Sequence, residues 1–372
     1  RYNPFKNDFF DASRTGMSAT HEWRLNADAK VLTSVYGAFF NRDWWRQASD
    51  TGTSASALNC QGQSGESRLN GVAITDPQLQ ACKMQGRLRE YTTTGIDSRV
   101  QLRHQAFGIA GELEAGVKYQ HEVQDRVQHN YTSYTNYLSG TGMTLGENQQ
   151  RRTNATSAFV ANRFIVNDRF AVTPIVRVEH IQHERINYLN DTRGGSSFTE
   201  FVPGIGATYQ LSAVTQVYGG VHKGFSPPRV EDAINASGQS IDLNAERSVN
   251  AEVGVRTSPM KDVAFDIAVF RNDFSNLVQV GSIAGGSTSY QEGKALFQGV
   301  EMAGQFDKLS KSIEGNLFAR VSWTWLPTAE QKSAFTSGAG TGAIGNRLPY
   351  APENLLNLTL GYRAPTNWNA RV

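Results

Sequence analysis

The 372-residue chain lacks several features that would assign it to a common class of protein. It contains no apolar run of about 18 residues, so the sequence predicts no transmembrane helix. Hydrophobic residues make up 39% of the chain, below the roughly 45–50% of an ordinary globular domain. There is no basic run that would suggest nucleic acid binding and no long acidic tail, and the net charge is only +2.

Cysteine is also scarce. The two cysteines, Cys60 and Cys82, lie in a stretch rich in Gly, Ser and Asn that has no core pattern. Two free buried thiols are the plain alternative, but this setting favours a disulfide that closes a surface loop in an oxidising compartment. The chain begins at Arg1 without an initiator Met or a signal sequence, so we expect a processed protein or an excerpt.

What the sequence does contain is a strict alternation of apolar and polar residues, seen most clearly in residues 111–124. Leu113, Ala115, Val117 and Tyr119 alternate there with charged or polar residues such as Lys118. Period two indicates a β-strand, because successive side chains point to opposite faces. Strands of soluble domains usually have about 5–6 residues, whereas a tilted strand needs about 9–11 to cross a bilayer. An outer strand of a soluble sandwich is the alternative.

The pattern recurs in about thirteen segments, with no convincing helix between them. Short turns at 25–30, 166–169, 211–214, 258–262 and 308–312 alternate with long links at 47–86, 129–149, 226–245 and 327–346. Sorted connections of this kind are typical of outer-membrane barrels. The fold class is therefore predicted to be all-β, a transmembrane antiparallel β-barrel with its apolar face toward lipid and its polar face toward a wet lumen. Pro174 and Pro203 fall inside strand patterns, where we expect bulges or strand ends.

The number of segments is odd, whereas bacterial single-chain barrels have an even number of strands. Another strand also begins at the end of the sequence, in residues 367–372. We therefore expect residues 1–372 to be one partial barrel domain, an internal excerpt of a larger barrel.

Several motifs resemble the barrel of TonB-dependent outer-membrane receptors. They are, in order, KGFSPPR (223–229), NAERSVNAEVGVR (244–256), VAFDIAVFRNDFSNLVQV (263–280), FQGVEMAG (297–304) and LPYAPENLLNLTLGY (348–362). The positions that match the family pattern are Gly224, Phe225, Pro227, Pro228, Glu246, Glu252, Gly254, Gly299 and Glu301. Ala245 stands where the family usually has Pro. RYNPFKNDFFDASRTG (1–16) and NRDWWRQASD (41–50) resemble the ferric-citrate-receptor branch.

The resemblance implies a barrel of about 22 strands in the bacterial outer membrane. It implies active uptake of a ferric chelate, with ferric citrate as the first candidate. The family's N-terminal plug and the segment that contacts the TonB complex would lie outside these residues. Expected partners are the chelate, the TonB complex, membrane lipid and lipopolysaccharide, and no nucleic acid. The alternatives are a receptor for another siderophore, a passive porin-type channel, and an outer-membrane enzyme or adhesin.

An anionic ferric chelate needs guanidinium and amide donors, because guanidinium groups bind carboxylates through two parallel hydrogen bonds. Such residues gather near the predicted outer strand ends. The candidate ligand-binding residues are Arg46, Arg87, Arg89, Arg151, Arg152 and Gln150. A solvated face, or contacts to lipopolysaccharide phosphate, is the alternative for each of them. The loop that contains Tyr131, Tyr134 and Tyr137 would suit a catecholate, unless it packs on itself.

No enzymatic activity, cofactor or metal site is predicted. His180 and His183 lie three residues apart on a strand, which places their side chains on opposite faces. GTGAIG (340–345) matches a dinucleotide-binding pattern, but the sequence predicts no strand before it and no helix after it. No Ser/His/Asp or paired-carboxylate arrangement is recognisable.

Overall fold

A computed structural model of the chain shows a single large antiparallel sheet. The structure describes residues 7–48, 80, 82–106, 108–241, 245–280, 289–310, 312–337, 340–342, 344–348, 350–366 and 368–372. The strands are β1 Phe9–Arg24, β2 Ala29–Ala48, β3 Lys83–Ala106, β4 Ile109–Tyr131, β5 Thr144–Ile165, β6 Phe170–Asn187, β7 Thr192–Ser212, β8 Thr215–Ser226, β9 Glu246–Met260, β10 Val263–Val280, β11 Ser289–Phe306, β12 Asn316–Gln331, β13 Phe335–Ser337, β14 Gly340–Gly342, β15 Asn354–Arg363 and β16 Asn369–Arg371.

Each strand of the large sheet pairs with its neighbours in sequence. The sheet has 14 strands in the order β1 to β12, then β15 and β16, while β13 and β14 form a separate two-stranded hairpin. About thirteen strands and the start of another were predicted, and the last strand, β16, has three residues. Two short helices lie in connections, α1 at Tyr134–Ser139 and α2 at Val230–Ala233. Within the described part of the chain, no helix has the length and apolar character needed to cross a membrane.

The register sorts side chains onto two faces. Val117 lies opposite Ser98 and Ala158, whereas Lys118 lies opposite Asp97 and Ser157. Directly opposite residues of an antiparallel pair point to the same side, so Val117 and Lys118 occupy different faces, as the alternation predicts. We call the side of Lys118 the lumen face and the side of Val117 the outer face. Val117 is 59% exposed, with Val253, Val269 and Leu358 similarly exposed on their strands.

The central strands are much longer than a membrane crossing requires. β3 has 24 residues and β4 has 23, against the roughly 9–11 that span a bilayer. The apolar residues of the outer face lie in the half of each strand nearer the short connections, as at Leu113–Tyr119 in β4. The other halves therefore extend beyond the apolar band, toward the long connections.

The connections are sorted by end, as predicted. Links at one end are short, for example 25–28, 166–169 and 261–262. Most links at the other end are long, such as 49–82 and 227–245, but β6 and β7 are joined there by residues 188–191 alone. β6 and β7 therefore stay paired up to this short turn.

The two strand prolines coincide neither with bulges nor with strand ends, the two features expected there. Around Pro174 the β5–β6 pairing skips from Ala161↔Ile175 to Phe164↔Val172, with the same register on both sides. Pro203 pairs with β6, but the β7–β8 ladder begins only at the next residue, Gly204. Each proline therefore stands where one neighbouring strand makes no pairing, which accommodates its missing N–H donor.

Candidate functional site

A row of arginines crosses the lumen face at the end of the long connections. Arg42 of β2 lies opposite Arg89 of β3, which in turn lies opposite Arg126 of β4. On the next strands Arg151 of β5 lies opposite Arg185 of β6. We call these five residues the arginine row. Like charges that face each other across strands destabilise a sheet, so the row requires anions.

Glu147 of β5 supplies the first anion. Its carboxylate lies 2.5 Å from Arg89 Nη2, 3.0 Å from Arg126 Nε and 3.3 Å from Arg151 Nη2. Gln149 also donates to it. The side chains of Arg89 and Arg151 are only 3% and 4% exposed. Buried guanidinium groups persist when paired and hydrogen-bonded, so Glu147 is the fixed centre of the row.

Glu231 of α2 supplies a second anion from outside the sheet. Its carboxylate lies 2.5 Å from Arg151 Nη1, 3.6 Å from Arg229 Nη1 and 3.8 Å from Arg126 Nη1. Burial alone raises the pKa of Glu231, but the charges of Arg151, Arg126 and Arg229 and a backbone hydrogen bond outweigh it and hold the pKa below its usual value. The carboxyl group is therefore ionised.

Residues 227–241, which we call the α2 loop, fold back over the sheet to bring Glu231 there. Val230, Ala233 and Ile234 form a small buried cluster. Arg185 Nη1 donates to the carbonyl of Ile234 at 2.7 Å, and Asn187 Nδ2 donates to that of Ala236 at 3.1 Å. The loop leaves β8 and reaches back across β7 to the ends of β5 and β6.

Two further arginines of the lumen face are held by neutral groups. Arg46 and Arg87 both donate to Gln85 Oε1, at 3.0 Å and 3.3 Å. Their guanidinium carbons lie 5.1 Å and 5.6 Å from the centre of the Trp44 ring. All four side chains are on the lumen face, because Trp44 lies opposite Arg87 and Arg46 lies opposite Gln85. This arrangement leaves guanidinium donors available to an anion beside an aromatic ring.

The structure brings together four of the six predicted binding residues, Arg46, Arg87, Arg89 and Arg151. Arg152 and Gln150 lie on the outer face, because neighbours of Arg151 along a strand must point the other way. Arg152 pairs there with Glu184 at 3.2 Å, and Gln150 donates to Asp125 at 2.8 Å. The structure therefore does not bring Arg152 and Gln150 to the face that carries Arg151.

The tyrosine loop packs on itself and on the outer face. Tyr137 lies 4.8 Å from Trp45, 5.5 Å from Tyr131 and 5.6 Å from Tyr134, measured between ring centres. Trp45 points away from the lumen, because it follows Trp44 on β2. These rings therefore form an outer-face aromatic cluster near the strand ends, beyond the apolar band.

The family-motif residues belong to the wall itself. Gly224 lies near the end of β8, opposite Ser248, and a Cβ at Gly224 would lie 2.6 Å from the Ser248 hydroxyl oxygen. Gly254 lies under Tyr218, whose hydroxyl donates to Asp266 at 2.7 Å. A Cβ at Gly299 would lie 2.4 Å from the Trp325 carbonyl oxygen. The remaining motif residues lie in these strands or directly after them. Phe225 lies in β8, Pro227 and Pro228 follow it, Glu246 and Glu252 lie in β9, and Glu301 lies in β11.

Sequence reasoning missed Arg126, Arg185, Glu147 and Glu231. Arg126 and Arg185 could have been found from alternation, since they share the parity of Lys118 and Glu179 on their strands. Glu147 lies four residues before Arg151 on the same face. Glu231 could not have been found, because strand periodicity does not describe how a connection folds back.

The other predicted features fall partly outside the described residues. Cys82 is buried and disulfide-bonded. Cys60 lies outside the described residues, so the pairing of these two cysteines stays a prediction. His183 bonds Thr153 at 2.9 Å on the lumen face, and His180 bonds Thr199 at 2.8 Å on the other face.

Comparison with known proteins places this geometry in a family. The family model described as "TonB dependent receptor-like, beta-barrel" matches residues 1–372. The ferrienterobactin receptor of Escherichia coli K12 is 30% identical over 219 residues, which cover 56% of this chain and 28% of that receptor. The iron-regulated outer membrane virulence protein of Vibrio cholerae is 22% identical over 402 residues, covering 98% of this chain and 55% of that protein.

Solved structures share the fold. The unliganded ferric citrate transporter FecA matches with a TM-score of 0.71 at 16% identity, covering 98% of this chain and 48% of that one. The closed form of the ferric-catecholate import receptor Fiu from Escherichia coli K12 also gives a TM-score of 0.71, at 15% identity, and covers 98% of this chain and 53% of that one. Nearly all of this chain matches the Vibrio cholerae protein and FecA, and it spans about half the length of each of them.

Proposed function

Because this chain belongs to the family of TonB dependent receptor-like β-barrels, we propose that it forms the ligand-binding wall of a receptor for the active uptake of a ferric chelate. It is an outer-membrane β-barrel chain, and its relatives include a ferrienterobactin receptor and an iron-regulated outer membrane virulence protein. The activity proposed is transport rather than catalysis. Energy would come from the TonB complex, through parts of the protein other than the strands described above.

The observation that carries the proposal is the excess of guanidinium groups on the lumen face. Seven arginines gather there, namely Arg42, Arg46, Arg87, Arg89, Arg126, Arg151 and Arg185. Within the described part of the chain, the carboxylates that contact them are Glu147 and Glu231. The Nε atoms of Arg42 and Arg89 are buried without a hydrogen-bond partner among the described residues. Such a surface attracts and holds an anion.

We propose ferric citrate as the first ligand to test, because its carboxylates match the geometry of guanidinium groups. The site would be centred on Arg46 and Arg87, whose partner Gln85 is neutral, next to the row that contains Arg89 and Arg151. A ferric catecholate is the second candidate. It is favoured by the Trp44 ring, whose centre lies 5.1 Å and 5.6 Å from the guanidinium carbons of Arg46 and Arg87, and which could stack on an aromatic chelate.

On the outer face, we propose that Arg152 and Arg193 contact lipopolysaccharide phosphate. Both pair with Glu184, and they lie beyond the apolar band on the side of the long connections. The two guanidinium groups share one carboxylate, which leaves a net positive charge at the level of the lipid headgroups.

The ligand site is tested by replacing Arg87 with alanine in the natural protein, purified from outer membranes in detergent. Arg87 is chosen over Arg89, because removal of Arg89 would also leave Glu147 short of a partner. Loss of one charged hydrogen-bond partner costs roughly 1.5–3 kcal/mol, so Arg87→Ala should bind ferric citrate about tenfold to a hundredfold more weakly. Fluorescence titration measures the affinity.

Arg99→Ala is the matched control. Arg99 lies on the same strand and the same face, about 40 Å further along β3, where it pairs with Glu114 at 3.4 Å. Its removal should leave the affinity unchanged. Equal affinity of wild type, Arg87→Ala and Arg46→Ala would refute the site. Binding of a ferric catecholate instead of ferric citrate would select the second ligand, and uptake that needs no energy source would indicate a passive channel.

A further inference from the structure

The α2 loop inserts a carboxylate into the arginine row, which borders the site proposed above for the chelate. We infer that Glu231 is an internal anion of this site, which occupies guanidinium donors in the absence of ligand and is displaced by an incoming anionic chelate. Glu231 would thereby be a specificity-determining residue, since an anion must outcompete it. The inference rests on the proposed function for the identity of the ligand, but not for the contact itself.

The contact divides Arg151 between two carboxylates. Nη2 of Arg151 faces Glu147 at 3.3 Å, and Nη1 faces Glu231 at 2.5 Å. Because the Arg151 side chain is 4% exposed, water can do little to replace either partner. If Glu231 leaves, the Nη1 side of this guanidinium group therefore requires another anion. A chelate carboxylate or phenolate offers the same kind of acceptor.

The two carboxylates differ in how firmly the fold holds them. Glu147 lies within the β5 ladder, opposite Gln128, so it cannot move without breaking strand pairing. Glu231 lies on a four-residue helix whose remaining anchors are a small apolar cluster and a few bonds to loop carbonyls. Arg229 and Asp232 pair with each other at 2.7 Å and can keep the helix intact when it lifts. Glu231 is therefore the exchangeable anion.

The first test is the affinity of Glu231→Gln in the natural protein. Glutamine keeps the size of the side chain but removes the charge that competes with the ligand. We expect ferric citrate to bind roughly tenfold more tightly than to wild type, on the scale of one close charge pair. Asp232→Asn is the matched control, because it removes the same charge from the same helix without touching the arginine row. Its affinity should not rise.

The second test follows the loop directly by hydrogen exchange. The amides of Asp232, Ala233 and Ile234 donate within the loop, at 2.9, 3.0 and 2.9 Å. They should exchange faster in ligand-free Glu231→Gln than in wild type, because one anchor is lost. In wild type, ferric citrate or iron-free citrate in excess should also accelerate their exchange, by displacing Glu231.

The outcomes separate this inference from the proposed function. If a ferric chelate binds, but Glu231→Gln changes neither its affinity nor the exchange of these amides, the internal anion is refuted and the receptor function stands. If neither ferric chelate binds, but citrate accelerates exchange in wild type alone, the internal anion stands and the proposed function fails. Slower exchange of the α2 loop on citrate addition would also refute displacement.

Discussion

Gly95 shows how single residues make room for the lumen lining. The ring of Tyr36 on β2 lies across Gly95 of β3, and its hydroxyl donates to Gln120 of β4 at 2.9 Å. A Cβ at Gly95 would lie 2.3 Å from that hydroxyl oxygen and 2.9 Å from the Tyr119 carbonyl oxygen. Tyr36 thus spans three strands only because its neighbour has no side chain.

Gly95→Ala should therefore destabilise the sheet by about 1–3 kcal/mol, because either the ring or the backbone must move. The thermal unfolding temperature of the purified protein measures the effect. Gly37→Ala is the control, since its nearest atoms would be Thr94 Cγ2 at 3.8 Å and the Thr93 carbonyl oxygen at 3.9 Å. If both variants unfold at the wild-type temperature, Tyr36 does not depend on this gap.

The face of the sheet on which each side chain lies was largely predictable from the sequence, and the failures have physical reasons. Alternation alone assigns Val117 and Lys118 correctly, and the same rule separates Arg151 from Arg152. Alternation is weaker in β2, because Tyr36 and Phe40 are aromatic residues of the lumen face. One covers Gly95, and the other packs on Tyr91 at 5.7 Å between ring centres. Contacts of this kind depend on the partner strand, which periodicity within one strand does not report.

At the scale of elements, the short connection between β11 and β12 is fixed by Asp307. Its carboxylate accepts hydrogen bonds from Asn316 at 2.9 Å, Arg320 at 3.0 Å and Gln305 at 2.9 Å. Burial alone raises the pKa of Asp307, but these hydrogen bonds and the charge of Arg320 lower it to about 2. The ionised group is therefore what holds this turn.

The pH dependence of this turn follows from the lowered pKa. A carboxyl group with a folded-state pKa of about 2 and an ordinary value of 3.8 stabilises the fold above about pH 4, and this stabilisation is lost as the pH falls toward 2. Wild type should therefore be more stable than Asp307→Asn at neutral pH, and the difference should vanish near pH 2. Thermal unfolding of both proteins across this range provides the measurement. A difference independent of pH would show that the charge is not responsible.

Connections were predictable in length but not in path. The sequence indicates which links are short, because strand patterns leave few residues between them, and the residues before β9 were recognised as a long link. The return of the α2 loop over β7 depends on Val230, Ala233 and Ile234 finding a buried site, and on Glu231 finding Arg151. Both are long-range contacts between residues far apart in sequence, which a local pattern cannot encode.

At the scale of the whole molecule, two zones share one sheet. The apolar outer face near the short connections faces lipid, while the far halves of β2 to β6 extend beyond it and carry the arginine row on their lumen face. Because every strand repeats the same alternation, the barrel class was predictable from about a dozen independent segments. The candidate functional site was less predictable from the sequence, because it combines residues of five strands and one folded connection.

The last prediction concerns the lipid-facing zone. Val117 lies in the apolar band of β4 with its side chain 59% exposed on the outer face, and Lys118 points into the lumen. Arg at a lipid-facing site near the bilayer midplane costs about 2–4 kcal/mol, so Val117→Arg should destabilise the folded barrel by that amount. Lys118→Arg should cost little, because it keeps the charge on the wet face. Urea titration of the natural protein folded in lipid vesicles compares the two, and equal costs would contradict the assignment of faces on which both zones depend.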